Sequence, residues 1–329
     1  MRVLQVSPTM GQPCGIALFA DRLARELEAL EFEVTTVSDL NGVAAADLVL
    51  VQHHVELLND HQVKTMCSKT RRPAVLCAHS DGIEQVVGLF DGVLAMSPGL
   101  VPHTDVPTFV FPLPVPTPQG LSDRNALRAR FGLPVNKKII GTCGYLKFER
   151  QLVEILSALL PQAVQSGWYV QLLTSPWYLP SPGLLDQLDN IVKTYPSNIG
   201  HQHRHLEDGE LNLRLQACDL LWCWTAAQSS PYGSGVASDL YASGSRIVAA
   251  DKMQHEHILN LPNVVRAPGT LEGFVEELLC QMQSDDYERH DPSPVSWTQQ
   301  IFSIASFLHE VRRSCSSRKD CARAELGSY

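Results

Sequence analysis

The feature that most constrains this chain is a series of short, almost uniformly apolar runs, each delivered into polar or small residues. Arg2–Val6, Asp47–Val51, Ala74–Ala78 and Gly92–Ala95 occupy the first third, and Lys138–Thr142, Tyr169–Leu173, Asp219–Trp224 and Ile247–Ala250 follow later. A run of about five residues with no polar face reads as a strand buried on both sides, which is the habit of parallel sheets. Helical spacing fills the intervals, as in Ile16, Phe19, Leu23, Leu27 and Leu30 after the Gly/Pro loop Ser7–Cys14. The opening strand, loop, helix and second strand at Glu33–Val37 fit within about forty residues, and this β–α–β alternation predicts a doubly wound α/β sheet.

With 329 residues the chain exceeds what one core usually holds, so two domains are expected. The proline-rich stretch FPLPVPTP, Phe111 to Pro118, is the expected linker. Alternation restarts after it with a helix around Ser122–Phe131, capped by Ser122, so the chain reads as two similar halves without sequence repetition. The expected boundaries are 1–112 and 113–295, with an amphipathic last helix over about 296–313 and a frayed tail over 314–329.

A 44% hydrophobic content with 19% charged residues is that of a soluble globular protein, and a net charge of −9 argues against a nucleic-acid partner. Nine scattered cysteines without a CxxC pair suggest neither a disulfide framework nor a zinc site. No signal peptide or membrane span is read in the sequence, so the expected location is cytoplasmic, with membrane association not indicated. The glycines of the first loop do not form GxGxxG, which counts against a nicotinamide or flavin cofactor.

Candidate site residues gather at strand ends. The run at 47–51 leads to His53 and His54, and the run at 74–78 leads to His79, Ser80 and Asp81. Ligands of open α/β sheets bind at this carboxyl edge. In the second half, Gln228–Asp251 passes from a strand through Gly233, Ser234 and Gly235 into a helix stopped by Gly244. Unpaired amides and the helix dipole converge at such a turn, which makes it an anion site; an ordinary tight turn is the alternative. His201, His203 and His205, and His255 with His257, lack carboxylate or cysteine partners at ligand spacing and read as solvated loops, so no metal is expected.

In order along the chain, SPTMGQPCGIALFADRLARELEALEFEVTTVSD, DLVLVQHH with AVLCAHSDG, DGVLAMSPGL, IIGTCGYLKFERQLVEIL and SGVASDLYASGSRIVAAD each resemble a segment of the GT-B retaining glycosyltransferases of family 4. SWTQQIFSIASFLHEV resembles their last helix. The resemblance implies two Rossmann-like domains facing each other across a cleft, with the C-terminal helix crossing back to the N-domain. It implies a UDP- or GDP-linked sugar as donor, an acceptor hydroxyl on a small molecule or glycan, retention, and no metal or other cofactor. By the same resemblance Gly15, Gly144, Lys147, Arg150, Gly233, Ser234, Gly235, Val236 and Asp239 would hold the donor. His79, Arg150 and Asp239 would act at the reacting centre, with His53, His54, Ser80 and Asp81 on the acceptor side. The chain departs from the family at Tyr145, in place of an arginine, and at Pro231, in place of the first Glu of E-x7-E. Those departures keep a second reading in play, a catalytically degenerate GT-B subunit that binds a nucleotide or a partner. A nucleotide-sugar epimerase has no acid/base pair to single it out.

Overall fold

In the computed structural model, which describes residues 1–12, 14–39, 46–70, 72–101, 104–116, 120–147, 150–176, 182–226, 233–284 and 287–326, the apolar runs become strands. The first unit comprises residues 1–112 and the stretch from Trp297 onward. Its elements are β1 (Arg2–Val6), α1 (Gly15–Ala29), β2 (Glu33–Val37), β3 (Leu48–His53), α2 (Asp60–Lys69), β4 (Ala74–Ala78), β5 (Gly92–Ala95) and β6 (Thr108–Val110). They pair in parallel in the order β2-β1-β3-β4-β5-β6. Every residue of β3, β4 and β5 is buried, as a central parallel strand requires. The second unit, Leu113–Ser296, carries α3 (Arg124–Phe131), β7 (Lys138–Tyr145), α4 (Leu152–Gln165), β8 (Trp168–Ser175), α5 (Leu184–Thr194), β9 (Ile199–His203), α6 (Asp208–Gln216) and β10 (Leu220–Cys223). It continues with α7 (Gly235–Ala242), β11 (Arg246–Ala250), α8 (Glu256–Leu259), β12 (Val264–Ala267) and α9 (Leu271–Met282). Its parallel sheet runs β12-β11-β10-β7-β8-β9.

The last helix, α10 (Trp297–Leu326), belongs to the first unit. Trp297, Ile301, Ile304, Leu308, Val311 and Cys315 are buried along one face at intervals of three and four. The Trp297 ring lies 5.1 Å from Phe19 of α1, and Phe307 stacks on Phe109 at 5.8 Å. Gly92 makes this approach feasible, because a Cβ there would stand 2.8 Å from Val311 Cγ2. The helix continues past 313 to Leu326: residues 314–326 contain no glycine or proline and several strong helix formers. None of the helices over the described residues is long and apolar enough to cross a membrane.

Two local assignments differ from the sequence reading. The cap of α3 is Asp123, whose carboxylate accepts from Ala126 N–H at 2.7 Å, while the carbonyl of Ser122 accepts from Arg289. Asp219, just before β10, anchors a buried ionic cluster. It accepts from Arg128 at 2.5 Å and from the Ile139 amide at 2.7 Å, with Arg124 at 3.5 Å. Arg289 extends the cluster by donating to the carbonyls of Ser122 and Gln216. One carboxylate thus ties the start of α3 to the amino ends of β7 and β10.

Candidate functional site

In the second unit, α7 is capped by Ser234, whose hydroxyl accepts from Ala237 N–H at 3.3 Å. The Ser234 amide is already donated to Gln254 O at 2.9 Å, and Ser238 N–H closes the first helical turn on Ser234 O. The Gly235 and Val236 amides are left without a hydrogen bond among the described residues. A Cβ on Gly235 would meet nothing within 4 Å, so that amide borders open space. Gly233 serves packing instead, since a Cβ there would stand 2.9 Å from Leu113 Cβ. Gln228 and Pro231 lie outside the described residues.

Arg150 converges on the same place. Its guanidinium is turned inward, nearly buried, and donates to Cys143 O and to Thr142 Oγ1 (3.0 Å), whose own hydroxyl donates to Trp222 O at 2.9 Å. Burial pulls its pKa below the usual guanidinium value. The fork lies against Gly144, which adopts φ +123°; a Cβ at that position would collide with the guanidinium and stand 2.6 Å from Val236 Cγ2. Gly144 therefore lies against both the Arg150 guanidinium and the Val236 side chain in the first turn of α7. Asp239 joins them: after burial itself, its charge is the main influence raising the Cys143 thiol pKa. Lys147 stands in the same loop, its carbonyl accepting from Arg150 N–H at 3.2 Å.

Four of the five histidines read as solvated loops do not sit in them. His201 and His203 lie in β9 and share Thr174 Oγ1, at 2.7 and 2.9 Å. His255 is buried between Ala250 O (2.9 Å) and Cys223 Sγ (3.3 Å), and His257 meets Ser238 Oγ at 3.0 Å. Alternation on an edge strand placed the first pair, and apolar neighbours such as Ile258 and Leu259 carried the second pair inward. His205, just past β9, is exposed. Among the described residues no three His, Cys, Asp or Glu side chains gather as a metal ion would need.

In the first unit, His79 follows β4 and is 6% exposed. Its Nε2 lies 2.7 Å from Gln52 Oε1, and the edge of its ring meets Phe19 at 5.0 Å. Burial, followed by the neighbouring His54 and His53, pushes its pKa down to about 3. Ser80 Oγ accepts from Val55 N–H at 3.1 Å, and His54 Nδ1 accepts from Glu56 N–H at 3.2 Å. Both ring nitrogens of His53 are sealed from solvent without a hydrogen bond of normal geometry, whereas Asp81 is exposed. Gly15 opens α1 one turn before Phe19, capped by Cys14 and bordered by open space. Sequence reasoning missed Gln5, Gln52 and Phe19. Gln5 had a signal, being the one polar side chain in the interior of an apolar run, whereas Gln52 stood at the end of its run just before His53 and His54.

No protein-family model matches the sequence, and no curated protein matches it. Solved structures do. HepE from Anabaena, determined in complex with UDP-glucose, aligns with a TM-score of 0.64 at 15% identity, covering 98% of this chain and 100% of that one. The fold is GT-B. A glycosyltransferase from Rickettsia africae gives 0.63 at 11% identity over 94% of this chain and 98% of its own. Sucrose-phosphate synthase from Thermosynechococcus elongatus gives 0.61 at 11% identity over 99% and 100%. The GT-B architecture thus spans essentially the whole length of the chain.

Proposed function

We propose that this protein transfers a sugar from a UDP- or GDP-linked donor to an acceptor hydroxyl, with retention and without a metal ion. The observation that carries the reading is that Gly144 lies against both the Arg150 guanidinium and Val236 of α7, the helix whose Gly235 and Val236 amides have no hydrogen bond among the described residues and which carries Asp239. The bond from the sugar's anomeric carbon to the diphosphate oxygen breaks, the acceptor oxygen bonds to that carbon, and the acceptor's proton leaves on the departing phosphate. Negative charge grows on the diphosphate as this happens. The α7 amides, the helix dipole and Arg150 supply the opposing charge, which is the part a divalent ion would otherwise play. Lys147 adds a second cation in the same loop. Asp239, one turn along α7, accepts ribose hydroxyls, and the histidine at position 79 contacts a sugar hydroxyl. Neighbours of the same fold were solved with UDP-glucose and with UDP, which supports the donor class.

The inward-turned, nearly buried Arg150 favours one competing account, nucleotide binding without transfer. Thermal unfolding with UDP, GDP and their hexose conjugates tests the binding step. At a hundredfold excess over Kd a true ligand adds about 2.7 kcal/mol of stability. Stabilisation by a nucleotide-sugar together with release of nucleoside diphosphate supports transfer, stabilisation without release supports the binding-only account, and no stabilisation removes both.

A further inference from the structure

Four neighbouring parts of the first sheet carry one continuous polar line through an otherwise apolar layer. Gln5 of β1 donates from Nε2 to Ala20 O at 3.0 Å and to Thr36 Oγ1 of β2 at 3.1 Å. Gln52 of β3 donates from Nε2 to Gln5 Oε1 at 2.9 Å, and Gln52 Oε1 meets His79 Nε2 at 2.7 Å. Gln5 and Gln52 are both fully buried. An amide buried beside Leu4, Leu50 and Val51 costs stability wherever a donor or acceptor goes unpaired, so two in series are retained only as a paired set.

The line has a direction, and the direction is forced at one end. Ala20 offers a carbonyl, which accepts and never donates, so the Gln5 amino group faces it and Gln5 Oε1 faces Gln52. Gln52 must then donate to Gln5, which turns Gln52 Oε1 toward the histidine. An amide oxygen accepts only, so the imidazole atom opposite it carries the proton. We propose that Gln5 and Gln52 are positioning residues that hold His79 as the Nε2–H tautomer, leaving Nδ1 as a fixed hydrogen-bond acceptor. The other ring nitrogen follows from the one that is bound. Nδ1 itself makes no hydrogen bond among the described residues. The Phe19 edge contact fixes the ring plane from the side.

An imidazole locked in this way offers a lone pair and no charge. It therefore suits a hydroxyl donor and is ill suited to neutralise a phosphate. That chemical use rests on the sugar-transfer reading above, whereas the tautomer does not.

Long-range 1H–15N spectra of the 15N-labelled full chain test the relay, with the His79 signals assigned by their loss in His79→Asn. The wild-type protein is expected to show the Nε2–H pattern alone at neutral pH. Gln5→Met touches neither His79 nor its partner atom, yet it removes the anchor that orients Gln52; a mixture of the two tautomers is expected there, and also in Gln52→Met. An Nδ1–H pattern in the wild type overturns the proposal whether or not the variants fold. So does an unmixed Nε2–H pattern in both variants. A wild-type Nε2–H pattern in a protein that binds no nucleotide would leave the relay standing and remove only the sugar-transfer reading.

Discussion

Gly144 is the residue on which the second unit's site closes. With φ +123° and the Arg150 fork against its Cα, Gly144→Ala drives a methyl group into the guanidinium and into Val236. The expected cost is about 1–3 kcal/mol of stability, with UDP affinity roughly tenfold weaker as the guanidinium and amides move apart; urea unfolding and calorimetry read the two effects separately. His79 gives a pH prediction with a definite sign. Its folded pKa of about 3 lies below the ordinary 6.5, so the unfolded chain binds the proton first as pH falls. Its contribution is complete above pH 6.5 and declines toward pH 3, by at most about 1.4 kcal/mol per pH unit. The urea midpoint should fall less steeply with acid in His79→Gln than in the wild type; equal slopes would contradict the shift. At this scale the sequence was only partly informative. The resemblance named Arg150 and Asp239, but nothing in the sequence showed that Arg150 folds back onto Cys143 O, because any backbone carbonyl can accept from it. Gln5 was visible as a polar break in an apolar run and Gln52 as the first polar residue after one, while their partners depend on strand order.

At the level of elements the strands were the most legible part, since β1, β4 and β5 occupy the residues that their apolar runs outlined. Burial on both faces leaves little choice of side chain, so composition alone marks the element. Caps and ends were less legible: Ser122 and Asp123 are adjacent and both able to cap, and the cluster around Asp219 decides between them by engaging the Ser122 carbonyl. That cluster carries its own prediction. Asp219→Asn leaves Arg128 and Arg124 near a neutral amide in a largely buried site. Removing one partner of a buried ion pair costs about 3–5 kcal/mol, so the urea midpoint should drop sharply. A midpoint near that of the wild type would show that the carbonyls of Ala217 and Tyr287 suffice to hold the arginines.

For the whole molecule, the proline-rich stretch at 111–118 marked the point where one unit gives way to the next, and the structure divides the chain between Pro112 and Leu113. Return of the last helix to the first unit was not read from its residues; it came from the resemblance alone. Its buried face shows why it returns: Trp297 packs against Phe19 of α1, Phe307 stacks on Phe109 of β6, and Ile301, Ile304 and Leu308 are buried along the same helix. The function rests on one physical claim, that the α7 amides and Arg150 together form the diphosphate site. Calorimetric titration of UDP into the wild-type protein and into Arg150→Met tests it most directly. The account expects saturable binding by the wild type and an affinity at least about tenfold lower in the variant, the effect of losing one charge-assisted contact. Absence of binding by the wild type, or equal affinity in the two proteins, would contradict it.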